Sequence, residues 1–508
     1  MDLVKGRGIV MPATTGTPIG AAMSTLAAAD PEAPVLTCGP VTLSRRELEE
    51  RANQFAWALL DHHVGVGDRV AIVLPNGIDF VIAVIATWKA GGTPVPVAPR
   101  MPAPERAGIL ALAEPKVIIA ETETQTETET KADAETGWII LSPSQDGVGH
   151  PVLAPPTVVP QPWKVLASGG STGKPKLIAT TDPGVVERAG LYGLAAQMSQ
   201  DKVALVTAPL THNGPFMALT AALLFGNHVV LMERFNAAEV LRLTTEHRVD
   251  WIYAVPTMMH RIWRLPETQR AAADLSSVRI VFHLGAPISP WLKQSWIDWL
   301  GPEKIWELYA GTEAQAATLI SGTEWLAHRG SVGRPLSGEI QIRDNTGRPL
   351  GPDEIGEVWM RSGSTDPTYT YIGATARSEG GWESLGDLGR MDSDGYLYLT
   401  DRDSDMILVG GSNVYPAEIE GALEEHPAVR SAAVIGLPDE DLGSVPHAIV
   451  QTDSDLDEAD LRAHLRQRLA GYKLPRTFER VSESLRDDAG KIRRSALRAA
   501  RLHPEARA

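Results

Sequence analysis

Residues 168–176 read Ser168-Gly169-Gly170-Ser171-Thr172-Gly173-Lys174-Pro175-Lys176. Three glycines let the backbone turn tightly against a ligand, and successive main-chain N–H groups in such a turn form a concave anion site. Hydroxyls and two lysines add the donors and positive charge that a polyphosphate needs. The preceding run, Trp163-Lys164-Val165-Leu166-Ala167, is apolar enough for a short strand, so the stretch reads as a strand feeding a phosphate-gripping loop. It is not the P-loop of ordinary NTPases, because Lys174 is followed by Pro175 where that motif requires Ser or Thr. The competing reading is a Gly/Ser linker closed by a turn. The Lys-Pro-Lys ending and the motifs elsewhere in the chain count against it.

Upstream, Ser44 and Glu47 form a capping box that opens a helix, whose apolar stripe is Leu48, Ala52, Phe55, Ala56 and Leu59. A strand over 68–74, a helix over 80–88 and a strand over 93–97 continue the βαβ alternation of a mainly parallel sheet covered by helices. The run 121–135 is mostly Glu and Thr, has no apolar face and reads as a solvated loop.

Downstream, a strand over 202–209 leads into Leu210-Thr211-His212-Asn213-Gly214-Pro215-Phe216, and helical spacing resumes over 217–225. Open α/β sheets place ligands at the C-terminal ends of their strands. His212 is therefore either a ligand-facing residue or simply a helix-entry residue. A strand over 278–282 ends in His283-Leu284-Gly285-Ala286-Pro287, and another over 305–308 ends in Tyr309-Ala310-Gly311-Thr312-Glu313. The second ending offers an aromatic face, a glycine, a hydroxyl and a carboxylate, the parts needed to stack a base, touch a phosphate and hold Mg²⁺.

From residue 331 the pattern changes to short strands separated by turns such as Asp344-Asn345-Thr346-Gly347 and Asp392-Ser393-Asp394-Gly395. The polar stretch Asp401-Arg402-Asp403-Ser404-Asp405 reads as a domain junction. We therefore expect an α/β body over 1–400 with a β subdomain over 331–400, a hinge over 401–405 and a small mobile α+β domain over 406–508. Near the end, Asp487-Asp488-Ala489-Gly490-Lys491 places a lysine on a polar turn, from which it can reach a neighbour.

At 508 residues the chain exceeds a single core, and about 150 residues per domain gives about three units. A net charge of −16 argues against nucleic acid or an anionic membrane as partner, yet leaves room for a local basic pocket. The lone cysteine, Cys38, excludes an internal disulfide framework and a multi-cysteine metal site, and its place at a strand end makes it a poor nucleophile. Neither a secretory signal nor a run of about 18 apolar residues is present, so a cytoplasmic protein, monomer or homodimer, is expected.

Taken in order, these motifs resemble one family, the acyl-adenylate-forming enzymes, which include acyl-CoA synthetases, adenylation domains of peptide synthetases and luciferases. The resemblance spans essentially the whole chain, including Leu74-Pro75-Asn76 and Lys89-Ala90-Gly91-Gly92. It implies a large body and a C-terminal domain that rotates between two half-reactions. In the first, a carboxylate attacks the α-phosphate of Mg·ATP to give acyl-AMP and pyrophosphate; in the second, a nucleophile displaces AMP.

By resemblance, Ser168, Gly169, Gly170, Ser171, Thr172, Gly173, Lys174 and Lys176 hold the β- and γ-phosphates. Gly285, Ala286, Pro287 and Tyr309 sandwich adenine, Thr312 contacts the α-phosphate, and Glu313 binds Mg²⁺. Asp387 accepts from the ribose hydroxyls with Arg402 assisting, and Lys491 bridges the attacking carboxylate and the α-phosphate. Leu177, Leu284, Ala310 in Tyr-Ala-Gly-Thr-Glu, and Ser404 depart from the family pattern, but none removes a charged catalytic group.

In the peptide-synthetase members of the family an aspartate near the position of the 212–216 loop pairs with the substrate's α-ammonium; this loop has no carboxylate, so the resemblance implies a substrate other than an α-amino acid. By the same resemblance, His212, Phe216, Met258, His283, Leu284, Ala310, Gly311 and Ala314 are the expected pocket, mostly apolar like that of synthetases for aryl, alicyclic or steroid-like acids, with Met258 equally readable as core filling. His212 is also a candidate catalytic residue. The resemblance favours coenzyme A as acceptor, since Tyr472-Lys473 matches a stretch of CoA-forming members, and it implies Gly411 and Lys473 on the pantetheine path. An amine or amino acid, or an acyl-carrier protein, is the alternative.

Overall fold

The computed structural model describes residues 16–121, 138–169, 175–364, 366–402, 405–409, 412–439, 441–453, 456–487 and 490–502, with only the backbone of Asp401 and Arg402. Most of the Glu/Thr run and the tip of the phosphate loop, Gly170 to Lys174, therefore lie outside the described residues, as do Ser404 and Gly411.

A nine-stranded sheet forms the centre of the body. Its order is Arg334–Ser337, Ala317–Ser321, Ile305–Ala310, Ile280–Leu284, Trp251–Ala254, Val203–Val206, His228–Leu231, Pro34–Cys38 and Val41–Ser44. The run from Ile305–Ala310 to Pro34–Cys38 is parallel, and antiparallel strands close both edges. Strands covered on both faces need apolar residues throughout, and Trp251–Ala254 is buried at every position.

Val203–Val206 pairs with both His228–Leu231 and Trp251–Ala254. Chain order reverses there, so the loop after residue 206, which carries His212, leaves the sheet at its topological switch point, where open α/β sheets bind ligands.

A second sheet of four parallel strands, ordered Thr93–Pro96, Arg69–Val73, Val117–Ala120 and Ile139–Leu141, packs behind the helix Ile78–Lys89. That helix is buried from Phe80 to Lys89, as an apolar helix between two sheets must be. Its Lys89 ends in an ion pair with Glu49 at 2.7 Å. The helix Arg45–Asp61 opens with the expected capping box of Ser44 and Glu47.

The hairpin Val165–Gly169/Pro175–Thr180 forms a third sheet with Tyr369–Ile372. The β subdomain comprises Glu339–Arg343, Gly356–Arg361, Arg377–Glu379, Trp382–Met391 and Leu397–Arg402. Its last strand continues through Asp401 and Arg402, the first residues of the expected junction. Beyond it, five strands and the helices Pro416–Glu424 and Glu458–Arg466 enclose a separate core among the described residues that includes Val414, Ile419, Leu423, Val434 and Leu461, while the helix Arg494–Leu502 packs through Leu497 on a second cluster of Ala433, Ile435 and Ile449.

Candidate active site

The strands that flank the phosphate loop put Ser168 opposite Lys176 and Gly169 opposite Pro175, so the loop is the tip of a hairpin. Leu177, a departure from the family pattern, is fully buried and packs in the layer that contains Val165 and Ile109. Lys176 points the other way. Its ammonium donates to the Tyr371 hydroxyl at 2.8 Å, lies 3.9 Å from the centre of that ring and stands 3.3 Å from Glu313 Oε1. Tyr371 donates to the same carboxylate oxygen at 2.6 Å. Burial, reinforced by this bond, holds the Tyr371 phenol far above the usual range, so it remains a donor. Thr368 fixes the backbone from below by donating to Glu313 O at 2.6 Å. Thr312 is half-buried beside Glu313.

On the next strand ending, Tyr309 donates to Asp387 Oδ2 at 2.7 Å, joining the parallel sheet to the β subdomain. The backbone of Arg402 lies opposite Asp387 in register. Gly285 has φ +90°, a conformation that favours glycine, and leads into the half-buried Ala286 and exposed Pro287. Gly311 lies beneath Leu385, while Ala310 and Ala314 are exposed at the same rim.

The expected acid pocket divides. His212 is the N-cap of the helix Asn213–Leu224, and Leu284 faces Gly214 across it: a Cβ added at Gly214 would lie 3.2 Å from Leu284 Cδ1. Three residues are instead packed into the core. Phe216 is fully buried against Trp88 and Trp163, with ring centres 6.0 and 6.2 Å away. Met258 is buried, and its sulfur accepts from the Thr207 hydroxyl at 3.2 Å, as a core-filling side chain does. His283 sits inside a strand rather than after one, so pleating turns it to the opposite face from Leu284. There it lies 3.9 Å from Glu307, itself paired with Lys293. Burial and the Lys293 charge hold the imidazole neutral.

Sequence reasoning missed Tyr371 and Tyr253, and also Tyr192 and Lys164. Tyr192 meets Phe282 edge-to-face at 5.9 Å, and its hydroxyl is buried with no hydrogen-bond partner among the described residues. It belongs to the same wall as Tyr253, whose hydroxyl would lie 2.4 Å from a Cβ at Gly214. Lys164 is buried, donates to Asn213 Oδ1 at 2.9 Å, and has its pKa lowered to about 8 by burial, opposed by Asp182 and Glu313. A lone tyrosine in a helix and a lone lysine before a strand carry no motif. Cys38 is buried, which pushes its thiol up to about 11 and confirms it as a poor nucleophile.

The C-terminal domain brings Lys491 to this edge of the sheet. Its turn is closed by Lys491 N–H to Asp487 Oδ1 at 2.9 Å and Asp487 N–H to Lys491 O at 3.0 Å. The turn abuts the body, since a Cβ at Gly490 would lie 2.9 Å from Thr257 Oγ1 and 3.4 Å from Val255 Cγ2. Val255 in turn stands behind Gly285. Lys473 is held by both oxygens of Glu418 at 2.7 Å.

Residues 23–370 match the model of the AMP-binding enzyme family, and residues 418–491 match that of the AMP-binding enzyme C-terminal domain. The chain belongs to the AMP-binding enzyme family. Among relatives of this AMP-binding enzyme, a feruloyl-CoA synthase of Amycolatopsis is 32% identical over 480 residues, covering 92% of this chain and 96% of the relative. The o-succinylbenzoate CoA synthetase of Bacillus subtilis, solved with its acyl-adenylate intermediate, superposes with a TM-score of 0.81 at 27% identity, covering 95% of this chain and 98% of that one. The same synthetase has been solved with ATP and a magnesium ion. An amide bond synthetase, McbA of Marinactinospora thermotolerans, matches with a TM-score of 0.77 at 28% identity, covering 95% and 99%.

The donor set suits a magnesium ion such as the one solved in the Bacillus subtilis synthetase. Among the described residues no three His, Cys, Asp or Glu side chains cluster as a metal cage. Glu313 is a single buried carboxylate beside the phosphate hairpin, and Mg²⁺ is usually held by one or two carboxylates together with substrate phosphates and water. Among the described residues no helix is long and apolar enough to cross a membrane.

Proposed function

We propose that this AMP-binding enzyme is an AMP-forming acid–CoA ligase that activates an aryl, alicyclic or steroid-like carboxylic acid. The observation that carries this reading is convergence. The Glu313–Lys176–Tyr371 knot, the Tyr309–Asp387 pair and the Lys491 turn come from three different parts of the chain and meet at the C-terminal edge of one parallel sheet.

The substrate carboxylate oxygen attacks the α-phosphorus of ATP, and the bond to the β-phosphate oxygen breaks, releasing pyrophosphate. Two anions approach each other in that step, and Lys491 sits between them as the preorganised cation. Asp387, already aligned by Tyr309, accepts from the ribose, and Gly285 to Pro287 and Tyr309 enclose the adenine. Ser168 to Lys176 grips the β- and γ-phosphates, Thr312 meets the α-phosphate, and Glu313 with the phosphates would hold Mg²⁺, which when bound would neutralise phosphate charge. Lys176 then exchanges its contact with Glu313 for phosphate. In the second step the CoA thiol, losing its proton, bonds to the acyl carbon and AMP leaves. Gly411 and Lys473 lie on the proposed thiol path, after rotation about 401–405.

The acid lies between His212, Gly214 and Leu284, against Tyr192 and the Tyr253 hydroxyl beside Gly214. This wall is aromatic and has no carboxylate, which suits an aryl or alicyclic acid and not an α-amino acid. A second reading, capture of the acyl-adenylate by an amine, is favoured by the similarity to the amide bond synthetase.

A panel of aryl, alicyclic, steroidal and fatty acids, each with ATP alone, with CoA and with mixed amino acids, tests both. Pyrophosphate release with an acyl-CoA product supports the ligase. Amide products that ignore CoA support the alternative, and activation of α-amino acids contradicts the pocket.

A further inference from the structure

One guanidinium of the body grips a helix end of the C-terminal domain. Arg264 follows the body helix Pro256–Trp263; its Nη1 donates to Pro427 O, and its Nη2 donates to the carbonyls of Glu424 at 3.3 Å, His426 at 3.0 Å and Val429 at 2.7 Å. These carbonyls surround the end of the helix Pro416–Glu424, whose last C=O groups have no partner within the helix. A cation there satisfies them and complements the negative end of the helix. The body also orients the guanidinium, because Nε donates to His260 Nε2 at 3.2 Å. His260 is buried against Trp291, ring centres 5.5 Å apart, and burial lowers its pKa to about 4, which keeps that nitrogen an acceptor.

The gripped helix is also what the Lys491 turn hangs on. Arg486 donates to Glu424 Oε1 at 2.9 Å and to Gly490 O at 3.2 Å. Arg494 clasps both oxygens of Glu420, at 2.7 and 3.2 Å, and Asp405 at 2.8 Å. Lys491 thus lies between two arginines that fasten its turn to one helix, and Arg264 fastens that helix to the body.

We propose that Arg264 is a positioning residue that holds the C-terminal domain where Lys491 meets the nucleotide site, so that its loss slows acyl-adenylate formation and spares transfer of the acyl group to the thiol. The proposal rests on the reading of Lys491 given above.

The same interface supplies a reporter that needs no substrate. A Cβ at Gly421 would lie 3.7 Å from the Cβ of Ser289, a separation that a disulfide spans, while Cys38 is buried. In the Ser289→Cys/Gly421→Cys chain, the rate of oxidative closure reads how often the domains adopt this arrangement. Adding Arg264→Ala should lower that rate by about tenfold or more, the scale of one lost charge-assisted hydrogen bond. Arg264→Lys, which keeps the charge without the planar fork, should fall between. Unchanged melting temperatures separate displacement from unfolding. Equal closure rates in all three backgrounds overturn the proposal.

In the chain without the cysteines, Arg264→Ala should slow ATP–pyrophosphate exchange with the acid found by the panel and leave thioester formation from synthetic acyl-AMP unchanged. Equal losses in both half-reactions, or none in the first, also overturn it. Lys491→Ala run alongside separates the two readings: if it too leaves exchange intact, the role of Lys491 has failed; if it abolishes exchange while Arg264→Ala does not, the positioning has failed.

Discussion

Lys164 shows what a single charged residue near the site costs the fold. Its ammonium is buried, and Asn213 is its hydrogen-bond acceptor. Burial lowers its pKa from 10.5 to about 8. Below pH 8 the group is charged in both folded and unfolded chains, so the full cost of burying the charge is borne. Between 8 and 10.5 the folded chain releases the proton and the unfolded chain keeps it, so stability rises with pH; above that window the group is neutral in both. The shift corresponds to about 3 kcal/mol. Lys164→Met, similar in length and without charge, should therefore be more stable than the parent in urea at pH 7, with the difference shrinking towards pH 10.5. Its pyrophosphate release should fall, because Asn213, next to His212, loses its partner. A stability difference that does not change with pH would show that Lys164 is not the group that titrates.

At the scale of elements, what was legible in the sequence was local chemistry. The Ser44/Glu47 capping box is complete within four residues, and it forms as expected. The Asp392 to Gly395 turn likewise closes the hairpin that carries Asp387. What stayed hidden was which face each buried strand residue takes. Ile280–Leu284 is apolar on both faces, so no alternation shows that Phe282 and Leu284 face the helix Asn213–Leu224 while His283 faces Lys293. Phe216 was misplaced for a related reason: the helix it begins is buried almost all round and has no single apolar stripe to orient it. The turn that follows Ile280–Leu284 is sharply defined. Gly285 has φ +90°, and an added Cβ would find its nearest neighbour, Val255, at an ordinary 3.7 Å. The obstacle to a side chain there is the backbone, on the order of 1–2 kcal/mol. Gly285→Ala should accordingly raise the KM for ATP by about fivefold to thirtyfold with a small change in kcat. A lowered melting temperature with an unchanged KM would place the strain away from adenine.

For the whole molecule, the question is how one acyl carbon meets two different partners. With the Lys491 turn seated against Thr257 and Val255, the C-terminal domain stands in the arrangement proposed for adenylation, with Lys473 engaged by Glu418 on the helix that Arg264 grips. If the second half-reaction needs the domain to rotate about 401–405, fixing it here should separate the two steps. The oxidised Ser289→Cys/Gly421→Cys chain should release at most about one pyrophosphate per chain in a burst and retain acyl-AMP, because the adenylate has no thiol to consume it and product release is gated by the domain. No acyl-CoA should form until a reductant opens the bond, after which turnover should return to the rate of the never-oxidised chain. Rapid-quench measurement of pyrophosphate and acyl-AMP, followed by addition of CoA and then reductant, separates the possibilities. Acyl-CoA formed at the parental rate by the oxidised chain would mean that both steps proceed in one arrangement, and the hinge would lose its mechanistic role. A missing burst would mean that the arrangement with Lys491 at the sheet edge is not the one that makes the adenylate.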